Sequence, residues 1–351
     1  MEAPTATAII MATYAFMFTC YIFAWAYLLG WGVRWAVPDP QSLEAYGSIG
    51  SALTRKKLLT TTIVIWLAQT VVTIGSLFVT NMDSTAGLVL AILLTVAPFV
   101  IAIGIISFTF SLTKFQALKA WLPTLLAHVA LIAVSYLVLK PFIVQSFFVP
   151  NSTMAPTMLG PHKITTCATC GEQAFAVHHT LQQKSPCICS NFHFTRESVR
   201  GKPQTQDHFL VSKLLFPKRG DLVAFAAPYD PSQIILSRLI GLPGETITIE
   251  DGNVWIDGKK WDKPDDIKTL QYSNNCLSPN GKVWGHPNSP AKLGEDEYFV
   301  LSDFSEISLD SRNFPANPAT PNANTYAVPK DNITGVVTTT YWPIKRWRAF
   351  K

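Results

Sequence analysis

Apolar residues crowd into the first 140 positions of the chain. Runs at about 8–33, 58–80, 86–110 and 121–139 each approach the roughly 20 residues that cross a bilayer core, and they predict four membrane-spanning helices. After Lys140 the pattern changes to short alternating or β-branched stretches broken by Pro, Gly and Asn. Those at 221–225, 246–249, 254–256 and 298–301 are the clearest predicted strands. Long helical periodicity is absent there, so the second part is expected to be mainly β. No internal repeat is visible.

Composition agrees with a membrane-embedded part. Hydrophobic residues make up 48% of the chain and charged residues 15%, against roughly 25% charged in ordinary soluble domains. The first run has no basic stretch before it and is far longer than the apolar core of a cleavable signal, so it is expected to stay in the mature protein. Charge then orients the spans. Arg34, Arg55, Lys56, Lys57, Lys114 and Lys119 lie between runs one and two or between runs three and four, while the N-terminal segment and 81–85 carry no Lys or Arg. Basic loops stay cytoplasmic. The expectation is a multi-pass plasma-membrane protein in contact with the lipid bilayer, with its N-terminus and C-terminal domain exoplasmic. The net charge of +5 is scattered, without an aromatic-interleaved basic stripe, so nucleic acid is not an expected partner.

The segment FFVPNSTMAPTML at 147–159 resembles the nucleophile box of signal peptidase I, in which a Pro precedes Ser-x-Ser-Met-x-Pro-Thr-Leu. Pro150, Met154, Pro156 and Thr157 match, Thr153 stands at the nucleophile position and Asn151 at the first Ser. DHFLVSKLLF at 207–216 and KRGDLVAF at 218–225 resemble the two strands that follow in that family. ILSRLIGLPGETITIEDGNVWIDG at 235–258 is similar to its Lys-Arg-x-x-Gly-Leu-Pro-Gly-Asp box, with Ser237 where the general-base Lys is expected. VLSDFSEISLDSR at 300–312 keeps Asp303, Ser308, Asp310, Ser311 and Arg312 of the Gly-Asp-Asn-Arg-x-x-Ser-x-Asp-Ser-Arg box, while Ser302, Phe304 and Ser305 replace its Gly, Asn and Arg. VPKDNITGVVTTTYWP looks like the last strand.

The resemblance implies a signal-peptidase-like β domain made of 141–160 and 207–351, after a transmembrane region at 1–140. It implies Thr153 at the attacking position, Ser237 at the base position, Asn151 at the oxyanion position and Ser308, Asp310 and Arg312 in support. It also implies a substrate cleft lined by Phe147, Val149, Met154 and Leu236, where an extended peptide adds to strand edges. Chemistry qualifies the activity. Thr can attack a carbonyl, but its methyl stiffens χ1. A Ser hydroxyl is no useful proton acceptor near neutral pH, and Arg238 stays protonated. His162 and His208 do not fall at the Lys position.

The insert at 161–206 holds Cys167-x-x-Cys170 and Cys187-x-Cys189, which resemble a zinc ribbon with four thiolates on one structural ion. Two disulfides are the competing expectation for an exoplasmic segment. His178, His179 and His193 read as surface residues, and Cys20 and Cys276 have no evident partner. No cofactor is expected for catalysis. Two functions stay open: a degenerate relative that binds signal peptides of exported preproteins or scaffolds an active signal peptidase or the secretion machinery, and an active endopeptidase using Thr153 with a non-standard base.

Overall fold

The structure is a computed structural model that describes residues 3–37, 55–79, 85–177, 184–199, 201–274, 282–317 and 324–350. His178, His179 and Cys276 lie outside the described residues. Two compact units divide near residue 139, one of them Met11–Val138 and the other built on Leu139–Lys351.

The first unit is helical. It contains α1 (Ala3–Ala36), α2 (Arg55–Val79), α3 (Thr85–Phe110), α4 (Lys114–Trp121) and α5 (Leu125–Val134). A 3-10 turn at Leu122–Thr124 joins α4 to α5, and a π-helical stretch, Ser135–Ile143, follows α5. Among the described residues two helical stretches are long and apolar enough to cross a membrane, Ala12–Ala36 and Lys114–Ile143, and Val96–Phe110 is a shorter apolar helix. The start of α4 is set by Thr113, whose side chain caps Gln116 in a capping box. The helices pack through Trp25, Leu29, Val33, Ile65, Ile106 and Phe110. Gly32 permits the closest approach, since a Cβ there would stand 2.1 Å from the Ala120 carbonyl oxygen. A polar contact ties α1 to α5, Tyr21 Oη to His128 Nε2 at 2.9 Å.

The second unit is mainly β, as its alternating stretches predict. Its large sheet comprises β1 (Val144–Phe148), β6 (His208–Ser212), β7 (Leu222–Ala227), β8 (Asp230–Gly241), β13 (Glu297–Leu301), β14 (Val328–Pro329), β15 (Ile333–Trp342) and β16 (Arg348–Ala349). The spatial order is β1-β6-β15-β7-β8-β13-β14, with β16 added to β15. A second sheet, β11-β10-β9-β12, is built from β9 (Thr246–Glu250), β10 (Asn253–Ile256), β11 (Lys259–Lys260) and β12 (Ala291–Lys292). The insert forms a third, β2-β3-β4-β5, from β2 (His162–Thr166), β3 (Gln173–Val177), β4 (Ser185–Cys189) and β5 (Phe194–Glu197).

Period 2 explains how the insert is buried on both faces. On β3, Phe175 and Val177 point one way and Ala174 and Ala176 the other; on β4, Ile188 opposes Cys187 and Cys189. The first face packs with Ala155 and Leu159 of the 151–160 loop and with Phe304. The second forms its own small cluster with Cys167. The ends of the insert meet: Asp207 N–H donates to Leu159 O at 2.8 Å, Leu159 N–H donates to Asp207 Oδ2 at 2.8 Å, and Gln204 N–H donates to His162 O at 2.7 Å.

Candidate functional site

The 151–160 loop leaves β1 through Val149, whose N–H donates to Asp207 O at 2.9 Å, and returns to Asp207 at Leu159. Gly160 closes it, because a Cβ there would lie 2.4 Å from Asn151 backbone atoms. Inside the loop, Asn151 Oδ1 accepts from Thr153 N–H at 3.3 Å and from Thr153 Oγ1 at 2.8 Å, an Asx-type turn with a side-chain bond added. The Thr153 hydroxyl, expected at the attacking position, therefore donates to a neutral amide oxygen. From the other side, Phe304 N–H donates to Thr153 O at 2.9 Å.

A cavity of about 490 Å³ opens beside this loop. Val149, Pro150, Asn151, Thr153 and Met154 line one wall; Tyr229, Gln233, Ile234, Ile235, Leu236 and Leu309 complete it. No Lys, His, Asp or Glu is among these residues. Of the four side chains expected at a substrate cleft, Val149, Met154 and Leu236 reach it. Phe147 does not line it and packs instead against Phe209, ring centroids 5.9 Å apart. Along β8, β13 pairs only with Arg238, Leu239 and Gly241, so β8 residues 233–237 have no strand partner on that side among the described residues.

Ser237 does not line the cavity. It sits on β8 opposite Val223 of β7, fully buried at 0% exposure. Pairing between β8 and β13 ends at Arg238–Leu301, and Ser237 and Ser302 are the residues next to that last pair on their own chain segments. Both hydroxyls, and that of Ser152, are buried without a hydrogen-bond partner among the described residues. Ser308, one of the residues expected in support, donates its Oγ–H to the Phe304 carbonyl across the turn that they share.

Two buried ion pairs involve the 300–312 segment. Arg238 donates through Nε to Asp303 Oδ1 at 2.8 Å and through Nη2 to Asp303 Oδ2 at 2.6 Å, with Nη1 on Gly220 O at 2.8 Å. Thr157 Oγ1 donates to the same Asp303 carboxylate, which ties the 151–160 loop to this pair. Arg312 grips Asp310 through Nε at 2.9 Å and Nη2 at 2.8 Å, while Asp310 accepts from Ser302 N–H at 3.0 Å. Asp207 is a further positioning residue. Besides the loop, it pairs with Arg346 at 2.9 Å, and Arg346 lies over Phe175 of the insert. Its signal in the sequence is slight, a single Asp at the start of a matched strand.

In the insert, Cys167 Sγ, Cys170 Sγ, Cys189 Sγ and a His193 ring nitrogen lie within 4.8 Å of one another. This group can hold a metal ion. The expected fourth thiol, Cys187, is not in it. Two thiols at i and i+2 on one face of a strand stand about 6.6 Å apart, whereas the edge of a tetrahedron around zinc is about 3.8 Å. The Cys187 thiol instead donates to Ser185 O at 3.3 Å, and burial pushes its pKa up. His193, expected on the surface as a bystander, reaches the cluster through the β4–β5 turn. Burial pushes the Cys167 thiol up, but hydrogen bonds from the Cys170 and Thr169 amides together with those to the Cys170 and Cys189 thiols outweigh it and hold the thiol below its ordinary range. Disulfides are not formed at any described cysteine.

The family model described as "Signal peptidase, peptidase S26" matches residues 118–342. The chain belongs to the signal peptidase, peptidase S26 family. It is 29% identical to a signal peptidase I of Leptolyngbya laminosa over 43% of this chain and 67% of the relative. It is 27% identical to a probable signal peptidase I-2 of Synechocystis sp. over 41% of this chain, and spans 58% of that relative's length. A signal peptidase I of Enterococcus faecalis V583, solved by crystallography, is 27% identical over 35% of this chain and 98% of its own, with a TM-score of 0.25, too low to speak to the fold.

Proposed function

We propose that this protein is a signal peptidase I-like membrane protein that receives signal peptides of exported preproteins at the exoplasmic face of the plasma membrane and holds them without efficient cleavage. One observation carries the reading. The cleft is lined mostly by apolar side chains beside Thr153, yet among the described residues none that lines it can take a proton near neutral pH. Thr153 Oγ1 donates to an amide oxygen and Ser237 is sealed away from the cavity. An extended peptide lies along the free side of β8 at 233–237, hydrogen-bonded through its main chain, with alternate side chains against Val149, Met154 and Leu236. Such a protein acts by presenting peptides to an active signal peptidase or to the secretion machinery. A structural zinc ion in the insert, and none in catalysis, completes the reading.

The test uses the purified full-length chain in detergent with a fluorescent signal-peptide reporter. Binding is expected with cleavage at background, and Leu236→Arg should weaken binding by roughly tenfold or more. Efficient cleavage by the unaltered chain, abolished by Thr153→Ala, would refute the reading and establish a working threonine peptidase.

The membrane arrangement proposed with it has four spans, with the N-terminus and β domain exoplasmic, and rests on six basic residues on one side against none on the other. A cysteine placed at Asp262 in a background lacking native thiols should react with an impermeant maleimide in intact cells. Labelling only after permeabilisation would reverse the orientation.

A further inference from the structure

We propose that Cys167, Cys170, Cys189 and His193 together bind one zinc-class divalent ion, with Cys187 excluded, and that this ion braces the sheet on which the nucleophile loop rests. The inference builds on the structural zinc of the preceding reading and names its ligands.

The donor set has the spacing of a metal site and not of a disulfide. Cys170 Sγ and Cys189 Sγ are 3.7 Å apart, close to the edge of about 3.8 Å for a tetrahedron with zinc–sulfur bonds of about 2.3 Å. A disulfide requires about 2.05 Å. Three thiolates and one imidazole form one of the ordinary closed donor sets for structural zinc. The groups around the sulfurs also suit anionic ligands. His193 N–H donates to Cys189 Sγ at 3.3 Å, and the Asn191 side-chain amide approaches Cys170 Sγ at 3.8 Å. Gly171, at φ +76°, closes the first Cys-x-x-Cys turn by donating its N–H to Cys167 O at 2.9 Å. The second turn brings His193 in by the bond from Phe192 N–H to Cys189 O at 2.9 Å.

The ion would join the β2–β3 connection, which carries Cys167 and Cys170, to the end of β4 and the turn beyond it. Across the sheet from the cysteines stand Phe175 and Ile188, packed on Ala155 and Leu159 of the nucleophile loop and on Phe304. Fixing one face of a two-faced sheet fixes what leans on the other. A small four-stranded sheet with so few large apolar residues gains its rigidity from such a bridge.

The full-length protein in detergent, stripped and titrated with Co²⁺, tests the ligand set directly. The unaltered chain should bind one ion with a charge-transfer intensity matching three thiolates. Cys187→Ser and Cys187→Ala should keep that stoichiometry and spectrum. His193→Ala should weaken binding by more than the roughly 10–100-fold typical of losing a mere outer-shell partner, and should shift the visible bands. A four-thiolate intensity, or loss of the ion on replacing Cys187 with His193 dispensable, would overturn the ligand set while leaving zinc in place. No binding at all, with the thiols found oxidised, would overturn the structural zinc itself. Removal of the ion should also expose the 151–160 loop to limited proteolysis; an unchanged digestion pattern would overturn the bracing role.

Discussion

Thr153→Ser combined with Ser237→Lys is expected to yield measurable signal-peptide cleavage only when Ser302→Gly is added. The first two changes restore the hydroxyl and the amine that the family resemblance places at these positions. The third is expected to make room for the amine. Ser237 is enclosed with no exposed surface, and Ser302, buried next to the last β8–β13 pair, stands where the family pattern has Gly. A lysine forced into that enclosed position faces an overpacking cost of about 1–3 kcal/mol. With the space open, burial beside Leu236 would favour the neutral amine. Loss of a nucleophile or base costs roughly 10⁶ in turnover by analogy with hydrolases, and the two act as a unit, so each single variant should stay near background. The triple variant should rise by roughly 10²–10³ and no further, because Asn151 still stands where the family pattern has a hydroxyl donor to the developing oxyanion. The measurement is reporter cleavage by the unaltered chain, the singles, the double and the triple, each checked for an intact melting transition. A folded triple variant with no activity would show that the lesion extends beyond these positions.

Asp303→Ala is expected to destabilise the β unit by about 3–5 kcal/mol, the usual result of leaving one member of a buried ion pair without its partner. Asp303 is fully buried and takes both forks of Arg238 and the hydroxyl of Thr157, so its removal strands a guanidinium and frees the nucleophile loop together. Thr157→Val, which removes a single donor, should cost about 1 kcal/mol. Thermal unfolding of the full-length protein in detergent, followed by tryptophan fluorescence, separates the two. Similar melting of both variants would mean that Asp303 and Arg238 do not carry the load assigned to them.

Much of this arrangement was legible in the chain. The strands at 222–227, 246–250, 253–256 and 297–301 follow from local alternation and turn residues, while the segment at 147–159 stood out only by its resemblance to a family box. What escaped depended on direction and distance. Cys187 and Cys189 look like half of a zinc ribbon by spacing, but a continuous strand holds thiols at i and i+2 too far apart, and only the fold shows that β4 runs unbroken through both. Cys189-x-x-x-His193 was the signal for the fourth donor, hidden because the turn that folds it back has Phe192, not Gly, at φ +61°. Phe147 alternates correctly along β1 but is claimed by its cross-strand neighbour Phe209. Asp207 and Gly160 matter through partners distant in sequence, which periodicity cannot register.

The reciprocal bonds between Leu159 and Asp207 make the 161–206 segment a graft whose two cut ends already touch. By backbone geometry alone the chain could pass from one to the other without it, as in a domain acquired by insertion at a surface turn. The apolar contacts tell a different history. Phe175, Val177 and Ile188 roof over Ala155, Leu159 and Phe304, so the graft has become part of the host's interior, and the host can no longer shed it without opening its own core to water.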